Sequence, residues 1–126
     1  GREIGQTLGF PTANISTSNE LIPPDGVYAV MVSVNGQLVK GACNIGLNPT
    51  IEGGLHTIEV FLLDFADRIY DREIEVCFVQ RLREERKFPD AASLIYAIRQ
   101  DVEQTRMILD NVDDQLIKIS LPIGNQ

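Results

Sequence analysis

The chain has 126 residues, 44% of them hydrophobic and 23% charged, enough for one packed domain and too apolar for wholesale disorder. Its formal net charge of −7 repels phosphate backbones over the surface as a whole, so nucleic acid is not expected as a partner. No apolar run reaches the ~20 residues that span a bilayer, and no signal peptide is recognisable, so the default is a cytoplasmic protein without a membrane partner.

Residues 1–26 are rich in Gly, Pro, Ser, Thr and Asn and keep no period, which predicts a long ordered loop of the kind that usually carries function. Within it, Pro11 fixes its own φ and pushes Phe10 toward an extended conformation. If the segment stays extended, Thr12 and Asn14 share a face, and two neutral oxygens converge. Such a pair suits Mg²⁺ shared with substrate phosphates. A plain Pro-Thr turn, with Asn14 satisfying backbone groups, accounts for the same residues. Gly1, Gly5 and Gly9 are spaced by four, which would let backbone approach a phosphate or simply make a flexible loop. Neither GxxxxGK[ST] nor GxGxxG occurs.

Pro23-Pro24-Asp25-Gly26 is a turn. Residues 27–34 form a β run with Tyr28, Val30, Val32 and Val34 on one face and Val27, Ala29 and Met31 on the other. Both faces are apolar, so this strand should be covered on both sides. Asn35-Gly36 is a two-residue hairpin signal, and residues 37–45 return. After a loop over 46–55, strands are expected at 56–65 and 73–82, followed by a charged connector over 81–87. Asp90 is a suitable N-cap for a helix whose stripe is Leu94, Ile98, Val102, Thr105 and Leu109. Residues 116–121 alternate as a short strand. Four strands and a helix predict a small antiparallel barrel with the helix packed on it.

Glu59 is the acid of most interest. It shares a strand face with Thr57, Phe61 and Leu63, and desolvation there would tune it toward general-base work. An edge-strand glutamate reaching water explains the pattern equally well. His56, the single histidine, has no partners for a catalytic triad and reads as a surface residue. Cys43 and Cys77 sit in apolar runs as free thiols, without the spacing of a zinc site. Met31 and Met107 read as core or helix-face packing, and one arginine of the connector could contact a phosphate.

Leu8-Gly9-Phe10-Pro11-Thr12-Ala13-Asn14 resembles the hallmark of riboflavin kinases, found alone or as the C-terminal module of bacterial bifunctional riboflavin kinase/FAD synthetases. The agreement continues in order through Gly26-Val27-Tyr28-Ala29, Asn44-Ile45-Gly46 with Pro49-Thr50, Glu59-Val60-Phe61-Leu62-Leu63-Asp64-Phe65, Ile69-Tyr70, and Leu82-Arg83-Glu84-Glu85 with Lys87-Phe88. The resemblance implies a mainly β fold, a six-stranded Greek-key (split) barrel with a C-terminal helix. Residues 1–110 would hold the barrel and helix, and 111–126 a tail able to form a short strand. A strand that precedes the first glycine in the family is not among these residues; the tail is a candidate to fill its place.

The activity implied is transfer of the ATP γ-phosphate to the 5′-hydroxyl of riboflavin, giving FMN and ADP. By the same resemblance, Glu59 would be the general base and Thr12 and Asn14 would bind Mg²⁺. Gly5, Gly9, Pro11, Thr12, Asn44, Gly46 and Pro49 would border ATP, and Arg83, Phe88 and Tyr96 would line the flavin side. Position 61, often histidine in the family, is Phe here. An FAD synthetase domain would belong to the full-length protein, so these residues alone should not adenylylate FMN. A module that binds flavin or nucleotide without turnover is the rival reading.

Overall fold

The computed structural model describes residues 9–15, 22–47, 56–66, 74–111 and 123–124. Six strands and one helix follow in the order β1 (Thr12–Ile15), β2 (Gly26–Val34), β3 (Gln37–Leu47), β4 (His56–Leu62), β5 (Ile74–Arg83), α1 (Ala91–Asp110) and β6 (Ile123–Gly124). The strands form one antiparallel sheet in the order β1-β4-β3-β2-β5-β6. Strands β2, β3 and β4 are successive neighbours and β1 lies beside β4, which is the Greek-key arrangement.

The two apolar faces of β2 are both covered. Tyr28, Val30, Val32 and Val34 enter an inner core with Ile45, Val60 and Val76. That core holds Ala13 from β1 together with Ile74 from β5, so the sheet curls round it as a barrel. Ala29 and Met31 face the other way, onto Leu109 and Ile108 of α1. Nearer the start of α1, Ile98 and Val102 cover Phe61 and Leu63.

The local signals explain the element ends. Asn35 (φ 51°) and Gly36 (φ 81°) turn β2 into β3, two left-handed residues whose twist matches that of the strands. The Asp90 side chain accepts a 2.7 Å hydrogen bond from the Ser93 N–H and starts α1. Near the other end of α1, Arg106 reaches Asp64 with a two-pronged contact, and Lys40 pairs with Asp110.

Several boundaries differ from the sequence reading. The segment read as a loop contains β1, because Thr12–Ile15 pairs with residues 58–61 of β4. Strand β4 stops at Leu62, short of residue 65, where the chain turns through Asp64 at φ 56°. Strand β5 ends at Arg83, one residue past the strand expected at 73–82 and inside the segment that the charge pattern assigns to a connector. Two register shifts against β2 leave Leu82 and Val79 as extra residues, and both join the layer under α1. Met107 is 60% exposed, not packed, whereas Met31 is buried as expected. Cys43 is buried and Cys77 half-buried, and both are free thiols. Strand β6 pairs with Glu75 and Val76 of β5, while the strand expected at 116–121 lies outside the described residues. Among the described residues no helix is long and apolar enough to cross a membrane.

Candidate functional site

The sheet register assembles the site. On β4, Glu59 is paired with Asn14 of β1 on one side and with Asn44 of β3 on the other. Asn44 is paired in turn with Val27 of β2, and Val27 with Arg83 of β5. Paired positions in an antiparallel sheet share a face. Positions 14, 59, 44, 27 and 83, scattered over 70 residues of sequence, therefore make one row across five strands. The next row starts with Thr12 opposite Phe61.

Helix α1 does not lie flat on this row: a cavity of about 110 Å³ remains between sheet and helix. Glu59, Asn44 and Phe61 line its sheet side, Leu94 and Ile98 of α1 its roof, and Arg83 and Phe88 one wall. Beyond that wall runs a groove of about 610 Å³ lined by Tyr96, Gln100 and Gln104 of α1. Arg83, Arg86, Phe88 and Asp101 border both spaces.

The wall is held by charge. Arg83 Nε donates to Asp101 Oδ1 at 2.9 Å and Nη2 to Oδ2 at 2.8 Å, with both side chains largely buried. Its Nη1 donates to the Glu84 carbonyl at 3.0 Å. The guanidinium carbons of Arg83 and Arg86 lie 5.5 Å and 5.6 Å from the Phe88 ring centre, within cation–π range. On the other side of the cavity the Glu85 carboxylate is tucked over Gly46, where an added Cβ would come 2.8 Å from Glu85 Cδ. Partial burial pushes Glu85 above the ordinary carboxylate range, opposed by a hydrogen bond from the Asn44 amide and by the charge of Arg83. Burial, with the Glu59 charge adding to it, pushes the Cys43 thiol up to about 12, so it stays a protonated packing group.

Four of the site residues expected from sequence, Glu59, Asn44, Arg83 and Phe88, meet at this one cavity. Thr12 and Asn14 lie on the strand beside Glu59. Pro11 seats that strand by accepting the Leu62 N–H at 2.9 Å, and Gly9 enters it with φ 82°, a left-handed conformation that favours glycine. Gly46 lies under Glu85. Tyr96, 67% exposed, lines the groove and not the cavity. Gly5 and Pro49 lie outside the described residues. His56 is on the surface, 3.1 Å from Asp25. If the arginine considered for a phosphate is Arg83, three of its five N–H donors are already used within the protein and its Nε–Nη2 fork is taken by Asp101. Glu85, Arg86 and Asp101 were not expected as site residues. Asp101 did leave a sign: it is an acid inside the apolar stripe of α1, next to Val102, and a buried acid needs a partner.

The sequence model of the riboflavin kinase (flavokinase) family matches residues 1–109. The chain belongs to the riboflavin kinase family. It is 43% identical over 109 residues to a bifunctional riboflavin kinase/FMN adenylyltransferase of Pseudomonas fluorescens, covering 86% of this chain and 35% of that protein. The corresponding Bacillus subtilis protein is 39% identical over 116 residues, covering 89% of this chain and 37% of that protein. The RNA-binding riboflavin kinase RibR of Bacillus subtilis is 41% identical over 103 residues, covering 81% and 44%. One relative is thus named for RNA binding, and acidity alone does not dispose of nucleic acid as a partner. A solved structure of a macrolide-efflux protein from Streptococcus pneumoniae has the same fold, with a TM-score of 0.74 and 32% identity, covering 90% of this chain and 36% of that one. The chain spans about a third of the length of the bifunctional relatives.

Proposed function

We propose that this chain is a riboflavin kinase module, transferring the γ-phosphate of ATP to the ribityl 5′-hydroxyl to give FMN and ADP. The observation that carries this reading is the position of Glu59: it lines an apolar cavity and is paired in register with position 14 of β1, the strand that also carries Thr12. Phosphoryl transfer needs positioning and charge neutralisation more than covalent chemistry. Glu59 takes the proton of the 5′-hydroxyl as its oxygen attacks the γ-phosphorus, and ADP departs.

Thr12 and Asn14 would hold Mg²⁺. Among the described residues no group of three or more His, Cys, Asp or Glu could hold a metal ion by itself. Two neutral oxygens on β1 fit an ion whose remaining ligands are phosphate oxygens and waters. When bound there, Mg²⁺ supplies the countercharge for the phosphates. Gly5, Gly9, Pro11, Asn44, Gly46 and Pro49 would border the nucleotide.

The flavin divides between the two spaces. Ligand pockets for molecules of this size run to roughly 300–1,000 Å³. The cavity of about 110 Å³ takes only the ribityl chain, and the groove of about 610 Å³ takes the ring, between Phe88 and the exposed Tyr96. In the full-length protein an FMN adenylyltransferase (FAD synthetase) domain would use the product.

The test is FMN formation from riboflavin and Mg-ATP. The expected result is turnover by the native chain, and a loss of about 10²–10⁴-fold in Glu59→Gln with riboflavin affinity little changed. Unaltered turnover in Glu59→Gln removes the base assignment. Riboflavin binding without FMN in the native chain favours the non-catalytic binding module.

A further inference from the structure

We propose that Asp101 is a positioning residue for the flavin side of the site, fixing the Arg83 guanidinium and, through it, Phe88 as the wall shared by cavity and groove. The proposal rests on the reading that riboflavin binds across these two spaces. Its starting point is the use made of Arg83. Asp101 takes Nε and Nη2 at 2.9 and 2.8 Å, and the Glu84 carbonyl takes Nη1 at 3.0 Å. Three of its five N–H donors are thus engaged within the protein and the Nε–Nη2 fork is filled by Asp101; toward Phe88 the guanidinium offers its flat face. The Phe88 ring lies 5.5 Å from that guanidinium.

Stability alone does not account for the pair. A buried ion pair gains little over apolar residues of similar volume, because desolvation of both charges offsets their attraction. Its distinct product is orientation: two parallel hydrogen bonds fix the plane of the guanidinium, not only its position. The two partners also come from different layers. Asp101 belongs to α1, between roof residue Ile98 and core residue Val102, while Arg83 ends the row that contains Glu59. The pair therefore sets the roof and the wall relative to the base. Phe88 follows the end of β5 by five residues and has no strand partner of its own to hold it. Its placement depends on side-chain contacts, of which those to Arg83 and Arg86 are the charged ones.

Asp101→Asn keeps the shape of the side chain but removes the charge and one of the two acceptors. The expected result is a rise of about tenfold in the riboflavin KM and in the riboflavin Kd from fluorescence quenching, with the ATP KM and kcat changed less than about threefold. Combined with Phe88→Leu, the effects on riboflavin affinity should be strongly non-additive, since both changes spoil the same wall. A general loosening of the fold would move the ATP KM as well and would combine additively. If Asp101→Asn does not fold, Arg83→Lys, which keeps the charge and loses the plane, should give the same selective loss. Unchanged riboflavin affinity, an equal rise in both KM values, or additivity with Phe88→Leu would each overturn the proposal. The Kd is read without turnover, so a native chain that binds riboflavin but makes no FMN overturns the kinase reading and leaves this test intact.

Discussion

Gly41→Ala puts the barrel packing to a direct test. Gly41 lies mid-strand on β3, paired with Val30 of β2 and Leu62 of β4. A Cβ there would come 2.8 Å from Val60 Cγ1, 3.1 Å from Val30 Cγ2 and 3.4 Å from the Phe61 carbonyl oxygen. Ordinary carbon contacts are about 3.5–4.0 Å, so the nearest methyl would have to retreat by nearly 1 Å. Neither valine can do this by turning: both are fully buried, and β-branched side chains are stiff at χ1. The strands must part instead, and overpacking of this kind costs about 1–3 kcal/mol. Alanine's lower entropy in the unfolded chain returns about 0.4–1 kcal/mol, leaving a net loss of about 1–2 kcal/mol. At about 2.1 cal/mol/K per residue, 126 residues unfold with an entropy near 0.26 kcal/mol/K, so Tm should fall by about 4–8 °C. Thermal unfolding followed by far-UV circular dichroism reads this directly. Gly41→Ala/Val60→Ala should lose less than the sum of the single changes. An unchanged Tm in Gly41→Ala, or additivity in the pair, would refute the tight-packing argument.

Two further outcomes follow from single groups. Thr105 is fully buried in α1, and its hydroxyl has no hydrogen-bond partner among the described residues. Thr105→Val removes that unsatisfied group at constant shape and should stabilise the protein by about 1 kcal/mol in urea unfolding; a loss would mean that the hydroxyl is satisfied in solution. Glu85 has a folded-state pKa above its ordinary value of 4.5, so its contribution favours the native state below that value and is lost as pH rises through the raised one. Glu85→Gln, which stays neutral, should therefore raise Tm at pH 7 and have little effect at pH 4. A lower Tm at pH 7 would show that the ionised form is the better fit over Gly46.

Local patterns made much of the fold legible. The two apolar faces of residues 27–34 announced a strand covered on both sides, and Asn35-Gly36 announced its turn, because left-handed φ at two successive positions is a property of those residue types. Asp90 and the stripe from Leu94 to Leu109 announced the helix for the same kind of reason. Glu59 stood out because its same-face neighbours are Phe61 and Leu63. The end of β5 was legible to within one residue, but its bulges were not. Arg83 looks like a connector residue until β2 offers it a partner strand, and the bulges that carry the pairing on leave no mark in the charge pattern. Glu85 over Gly46 was equally hidden, since one comes from the connector and the other from β3.

The amino-acid sequence by itself determined the strand and helix patterns, the turn chemistry and membership of the riboflavin kinase family, all properties of residues near one another in the chain or of motifs in order. Tertiary structure alone decided which polar groups meet. The row Asn14–Glu59–Asn44–Val27–Arg83 exists only because a Greek-key order sets β1 beside β4 and β5 beside β2 in one register. A shift of one residue in any of those pairings would turn a member to the opposite face. The pairing of Arg83 with Asp101 needs one further step, the docking of α1 across that row, because two charges leave water together only where a second layer excludes it.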